Sequence, residues 1–136
     1  MLGEKFTQAQ GKVTGTRVIP GIDGGPPLVE TSFHVQGKVY GVDVTDIGTY
    51  TSRMVPGGTL VGEGQGVSMT PDGDSIVWKG FGVGKPTGRG LAAQYRYSMS
   101  FQTTSQKLSK LNGLLAVGEW EVDENGNCKG QGWEWK

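Results

Sequence analysis

Alternation of apolar and polar residues with a period of two runs along almost the whole of this 136-residue chain. Between Ala93 and Phe101 every odd position is apolar and every even position is polar. The segment from Val29 to Val39 shows the same two-faced pattern, with Phe33 and Val35 opposite His34 and Gln36. Such a pattern is typical of strands in an antiparallel sheet that has one dry face. The chain is therefore predicted to be all-β.

Turn signals divide the alternating pattern into eight predicted strands. The strongest turn is Pro71-Asp72-Gly73, because proline presets the first turn residue and glycine accepts a positive φ. Other turns are predicted at Pro20–Pro27, Pro56-Gly57-Gly58 and Asn125-Gly126. The predicted strands cover about 10–19, 28–40, 42–54, 58–69, 75–85, 91–102, 114–122 and 128–135.

One segment departs from the strand pattern. Leu108 and Leu111 are spaced as on a helix, Ser105 is a suitable N-cap, and Asn112-Gly113 is a suitable stop. Eight short strands must close on themselves or stack as two sheets, and closure removes the unpaired edges. We predict one domain over residues 1–136: a closed or nearly closed antiparallel barrel of eight strands, with a short helical turn near 105–112 closing one end.

The glycines are concentrated in two of the predicted strands. The chain has 25 glycines, and glycine occupies every second position in Gly62–Gly66 and again in Gly80–Gly84. A type I turn with Gly73 in the left-handed region would pair Gly62 with Gly82, whereas a two-residue turn would shift this register by one. Glycine inside a strand marks strong coiling or the close approach of another group. The glycine faces could thus leave room for a ligand inside the barrel or for another subunit outside it.

Composition excludes several functional classes. Thirteen basic and thirteen acidic side chains leave no net charge, which argues against nucleic acid as a partner. A single cysteine and the lack of a long apolar run predict a cytoplasmic protein with no membrane association. Gly84-Lys85 is not a phosphate-binding loop, because Lys79 stands where such a loop needs glycine. His34 is the only histidine, so we expect no metal site and no cofactor.

Aromatic side chains form the predicted ligand-binding surface, since a pocket for a small molecule is mostly apolar with a few polar groups. We expect it to be lined by Phe33, Trp78, Tyr95, Tyr97 and Phe101. Glu63 and Gln65 would be the polar groups if their row faced inward. Glu63 would then be the candidate catalytic acid or base, because burial raises the pKa of a carboxyl. The alternative is that the row faces solvent.

The order of these parts resembles the allene oxide cyclase-type barrel within the calycin-like group of small β-barrels, and uncharacterised bacterial and archaeal proteins of that architecture. The resemblance is carried by Gly62 to Glu121, which holds the glycine-rich hairpin, the turn Pro71–Asp74, the Leu108–Leu111 turn and the run from Leu114. It implies a cavity along the barrel axis and a homo-oligomer. Its characterised members are cyclases or isomerases, and it transfers no site residue to this chain.

Three functions are compatible with these features. The first is a binding module that holds a mostly apolar small molecule, with Glu63 as its polar anchor. The second is a cofactor-free cyclase or isomerase, in which the barrel holds an apolar substrate in a reactive conformation. The third is a packed barrel that acts as an oligomeric scaffold. Whether the protein is an enzyme stays open at this point.

Overall fold

A computed structural model describes all residues, 1–136, and shows eight antiparallel strands closed into one barrel. Each strand pairs with its neighbours in chain order, and the last pairs with the first. The strands are β1 (Leu2–Ile19), β2 (Leu28–Val39), β3 (Val42–Val55), β4 (Thr59–Met69), β5 (Ser75–Pro86), β6 (Ala93–Thr103), β7 (Leu115–Val122) and β8 (Asn127–Trp135). The predicted fold class is confirmed.

The hairpin of β4 and β5 has the first of the two predicted registers. Gly73 has φ 88°, and the backbone amide of Thr70 donates to the carbonyl of Asp74 at 2.9 Å. As a result Gly62 pairs with Gly82. The proline–glycine turn therefore sets which side chains share a face along the whole hairpin.

The first strand is longer than predicted. It begins at Leu2 instead of near residue 10, and its early part pairs with β8 through an irregular register between Leu2 and Thr7. This ladder closes the barrel. The alternation of apolar and polar residues is weak in this part of β1, because the register shifts around Lys5 and Phe6 interrupt the regular change of face.

One end of the barrel is filled by apolar side chains. Leu108 and Leu111 have no exposed surface and pack with Phe6, Val44 and Ile76. The predicted helical turn is present as a 3₁₀ turn at Ser109–Leu111, preceded by bends. Ser105 does not cap it, since the Ser105 hydroxyl is buried without a partner. The segment closes this end of the sheet, as expected.

A second 3₁₀ turn lies at Ile22–Gly24, in the connection between β1 and β2. The other turns at this end of the barrel join β3 to β4, β5 to β6 and β7 to β8. We call it the turn end, in contrast to the closed end filled by Leu108 and Leu111. None of the helical segments has the length and apolar character required to cross a membrane.

Candidate functional site

The alternate glycines of β4 and β5 point into the barrel, and some make room for aromatic rings. A Cβ placed on Gly66 would lie 2.5 Å from Cε2 of Trp78, and 2.6 Å from the carbonyl oxygen of Ile47. The ring of Tyr97 lies in the same way against Gly118 of β7. At these positions the missing side chain is replaced by a ring from a neighbouring strand.

Gly82 has more open space in front of it. An added Cβ there would meet no atom closer than the carbonyl oxygen of Arg96 at 3.3 Å, followed by Cβ of Tyr97 at 3.4 Å and Cδ1 of Tyr95 at 3.8 Å. A cavity of about 140 Å³ lies against this part of the sheet. Five glycines border it: four of them, Gly62, Gly64, Gly80 and Gly82, come from β4 and β5, and the fifth is Gly130 of β8. One wall of the cavity is therefore bare backbone.

The remaining lining is largely aromatic. Phe33 is 4% exposed, and its ring lies 4.6 Å from that of Trp120 and 6.1 Å from that of Trp78 between centroids. Tyr50 lies 5.8 Å from Tyr95 in an edge-to-face arrangement. Because these rings support one another, they form a preformed surface with little rotamer freedom to lose on binding.

Asp46 supplies the carboxyl group of the cavity. Its Oδ1 accepts a hydrogen bond from Nε1 of Trp78 at 2.8 Å and another from Oγ of Ser68 at 3.1 Å, whereas its Oδ2 accepts none from the protein. Burial raises the pKa of Asp46, and the two donors and His34 counteract that rise only in part. Asp46 is thus a fixed, partly desolvated carboxyl with one oxygen available to a ligand.

Tyrosine hydroxyls supply further polar atoms. The hydroxyl of Tyr50 accepts a hydrogen bond from Nε1 of Trp120 at 3.3 Å, so its own proton is free for another acceptor. Burial is the main cause that raises the pKa of Tyr50 to about 12, and it raises the pKa of Tyr95 as well. Both hydroxyls therefore stay protonated at neutral pH and can donate.

The predicted aromatic residues all lie on inward-facing positions. The cavity is bordered by each of them, namely Phe33, Trp78, Tyr95, Tyr97 and Phe101. The cavity thus brings together five side chains that come from β2, β5 and β6. Their role in binding stays a prediction.

The structure corrects the prediction of the polar anchor. Glu63 and Gln65 are exposed and lie on the outer face, because the glycines on either side of them face inward. Glu63 borders the cavity only as part of the Gly62–Gly64 segment, not through an inward side chain. Nor does Glu63 form an ion pair with Lys79. The interpretation of Glu63 as a buried acid or base is therefore wrong, and the solvated alternative is correct.

Sequence reasoning missed Asp46, and a signal for it existed. Asp46 is separated from Val44 and Tyr50 by an even number of residues along β3, so it lies in the same inward row as they do. A charged residue in an otherwise inward row is informative, because an unpaired buried charge is costly. Its partner Trp78 lies 32 residues further along the chain, beyond the reach of any local pattern. Asp43, by contrast, lies outside and forms an ion pair with Lys38 at 2.7 Å.

A larger depression of about 1150 Å³ lies on the outside of the barrel, over β6 to β8 and β1 to β3. Its lining is polar and mostly exposed. Several charged groups there already have partners, such as Arg96 with Glu119 at 3.8 Å. Only four of its 20 lining residues are hydrophobic, so it lacks the apolar walls expected of a small-molecule site. No cluster of three or more His, Cys, Asp or Glu residues is placed to hold a metal ion.

Comparisons with known proteins support the architecture. No protein-family model and no curated protein matches this chain. Among solved structures, a β-barrel-like protein from Acinetobacter baumannii is 14% identical with a TM-score of 0.81, and the match covers 100% of this chain and 96% of that one. A conserved protein of unknown function from Rhodopseudomonas palustris is 13% identical with a TM-score of 0.80, covering 98% and 97%.

A protein with unknown function from Clostridium acetobutylicum is also similar, at 13% identity and a TM-score of 0.80, with 98% of each chain covered. At such identities the likeness shows the fold alone. The three structures are thus bacterial proteins that share the small β-barrel with this chain over nearly its full length.

Proposed function

We propose that this barrel binds a small, mostly apolar molecule in its interior, with Asp46 as the polar anchor. The observation that carries the proposal is the cavity itself, which has a bare glycine wall on one side and fixed aromatic rings on the other. Interiors are normally filled to crystal-like density, and inward glycine in a strand costs stability. Space kept at that cost is expected to serve a ligand.

The size and polarity of the cavity define the class of ligand. A dry cavity of about 150 Å³ accommodates benzene, and this one has about 140 Å³. The buried part of the ligand is therefore about the size of one six-membered ring. Oδ2 of Asp46 would accept a hydrogen bond from a hydroxyl or amine on that ring, and Tyr50 could donate one to it.

The route of entry follows from the closed end. Leu108 and Leu111 fill that end without exposed surface, and Asp46 lies only one inward position from Val44 of the same cluster. The ligand would enter from the turn end, between the β3–β4 and β5–β6 connections. Its polar group would then lead, meet Asp46 at the base of the cavity, and leave the apolar part against Tyr50 and Tyr95.

A cofactor-free cyclase or isomerase is the second candidate, and it fits the resemblance to allene oxide cyclase-type barrels. The observation that favours it is the carboxyl of Asp46, whose pKa is raised by burial within an aromatic cavity. A carboxyl whose pKa is raised by burial is better suited to transfer a proton to or from a bound substrate. In this case Asp46 takes the role first assigned to Glu63.

Two measurements test the proposal. Native mass spectrometry of protein purified from its own host would detect a retained small molecule and report the number of subunits. In parallel, thermal shift and isothermal calorimetry with phenol, benzyl alcohol, benzylamine and toluene probe the cavity directly. We expect the three donor-bearing probes to bind about tenfold more tightly than toluene, because each can donate a hydrogen bond to the carboxyl of Asp46.

Two variants make the test specific. Asp46→Asn should remove the preference for the amine while leaving the binding of toluene unchanged, because its amide keeps the shape but not the charge. Gly82→Val should abolish the binding of all probes, since its side chain would project into the cavity. A wild-type protein that carries no molecule and binds no probe would refute the binding function and leave the packed scaffold.

A further inference from the structure

The central hairpin carries its large apolar side chains on the outside of the barrel. Along β5 the inward positions 80, 82 and 84 are glycine, whereas Phe81 and Val83 face outward and are 48% and 44% exposed. On the neighbouring β6, by contrast, the polar residues face outward. An outer face that is more apolar than the inner one is the reverse of the pattern expected for a strand facing water.

Neighbouring strands extend this surface. Ile47 of β3, Val67 of β4 and Val77 of β5 lie in one row across the sheet, and each is exposed. We call the exposed apolar residues on the outside of β3 to β5 the outer patch, comprising Ile47, Val67, Met69, Val77, Phe81 and Val83. A polar row of Thr49, Gln65 and Lys79 crosses the outer patch and separates Phe81 and Val83 from its other members. Exposed apolar residues gathered on one face, with polar groups among and around them, mark an interaction site.

Two unpaired charges of opposite sign lie within the outer patch. Glu63 stands beside Phe81, and Lys79 stands beside Gln65 in the adjacent row. Neither side chain forms an ion pair within the chain, although other exposed charges such as Lys38 and Asp43 do. The patch therefore offers one donor and one acceptor of an ion pair, on neighbouring strands.

We propose that the outer patch is the interface between two copies of this chain. A two-fold axis in the plane of the interface, passing between Glu63 and Lys79, would place Glu63 of each copy against Lys79 of the other. A two-fold contact uses the same surface twice, so a self-complementary pair of charges is what it requires. The charged pair lies in two middle rows together with the polar side chains of Thr49, Thr51 and Gln65. Apolar residues lie on both sides of these rows, with Ile47, Val67 and Val77 on one side and Val83 on the other. The two-fold axis would therefore pass through the charged pair, with apolar contact on either side of it.

The size of the surface agrees with a specific dimer. A standard interface buries about 800 Å² on each partner. Three strands spaced about 4.8 Å apart and about 35 Å long cover roughly 500 Å² of flat sheet before the relief of the side chains is added, which is the same order of magnitude. The cavity lies behind this same sheet, so the dimer would cover the glycine wall from outside. It would also protect a part of the barrel that has no inward side chains to hold it together.

Charge reversal tests the pairing, with sedimentation equilibrium at micromolar concentration as the readout. Wild-type protein should be a dimer. Glu63→Lys and Lys79→Glu should each weaken it by about 100-fold or more, because each places two like-charge pairs in the interface. Mixing the two variants should restore association as a heterodimer. There the lysine introduced in one variant meets the glutamate introduced in the other, and the unmutated Glu63 and Lys79 meet across the axis.

Glu121→Lys is the matched control, because it reverses an exposed outward charge on β7, far from the outer patch, and should leave the dimer unchanged. Phe81→Ser removes apolar contact without altering charge and should also give monomers. Circular dichroism verifies that every variant is folded. The proposal would be overturned by any of three results: a monomeric wild type, single charge reversals that stay dimeric, or a mixture of the two variants that does not associate. A monomeric wild type would also exclude a second copy of the chain as the partner of the outer patch.

Discussion

Two inward glycines of β4 and β5 are expected to differ in how much stability the protein loses when each receives the same added methyl group. At Gly66 the methyl would lie 2.5 Å from Cε2 of Trp78 and 2.6 Å from the carbonyl oxygen of Ile47. At Gly82 the nearest atoms are at 3.3 and 3.4 Å. Neither glycine has a positive φ, so an alanine is allowed by the backbone at both. The comparison isolates the space around the methyl group.

The expected cost at Gly66 follows from what must move. Overpacking of a buried ring costs about 1–3 kcal/mol. A displaced indole would also weaken the hydrogen bond from Trp78 to Asp46, now 2.8 Å long, at a cost of about 1–2 kcal/mol. Gly66→Ala should therefore lower the free energy of unfolding by about 2–5 kcal/mol. For Gly82→Ala we expect a change of less than about 1 kcal/mol, because a small gain from unfolded-state entropy offsets slight crowding.

Urea denaturation followed by tryptophan fluorescence measures both values. A loss of about 3 kcal/mol corresponds to a fall in Tm of about 10 °C in a domain of this size. The m-value should stay at that of wild type, which would show that the variants expose the same surface on unfolding and that their free energies can be compared directly. Equal losses at the two positions, or a larger loss at Gly82, would refute the distinction between a ring-covered glycine and a cavity-lining one.

Three further predictions concern buried groups. Asp46→Asn should stabilise the protein at neutral pH. Burial raises the pKa of Asp46, so the stability of the wild type falls as pH rises through that pKa. The stability gained by Asp46→Asn should therefore vanish in acid. Urea titrations at several pH values measure this. Leu108→Ala should cost about 2–5 kcal/mol by calorimetry, since Leu108 is fully buried in the closed end, and should leave the cavity's probe binding intact. The hydroxyl of Tyr40 holds the pKa of Glu134 below its usual range, so stability should be lost as pH falls through that lowered pKa. In Tyr40→Phe the acid-induced loss measured by circular dichroism should become shallower, and an unchanged acid transition would contradict the role of Tyr40.

The fold could be predicted largely because its determinants are local. Seven of the eight strand pairings are between consecutive strands, and turns such as Pro71–Gly73 set their registers. The sequence left two registers open for the β4–β5 hairpin, and the structure has the one in which Gly62 pairs with Gly82. The start of β1 was missed because its partner is the last strand and its register is irregular, so no short-range pattern marks it.

The site could be predicted only in its apolar half. Tyr95, Tyr97 and Phe101 alternate with polar residues, so their inward direction follows from their own strand. The β4–β5 hairpin gives no such signal, since Gly alternates with large residues and hydrophobicity alone would have turned Phe81 inward. The face of this hairpin that lies inside is decided instead by aromatic rings that occupy the space in front of the glycines. The ring of Trp78, for example, lies over Gly66.

Closure of the barrel by β1 and β8 has a consequence for how the protein folds. Hairpins form by local contacts, but the final ladder joins residues such as Gln8 and Gln131, which are far apart in sequence. Non-local pairing of this kind is slow, because the entropy of loop closure is lost before the new contacts are gained. We expect an open sheet to assemble first and the β1–β8 ladder to form in the rate-limiting step. The chain's speed of folding would then depend on its first and last strands more than on its glycine-rich centre.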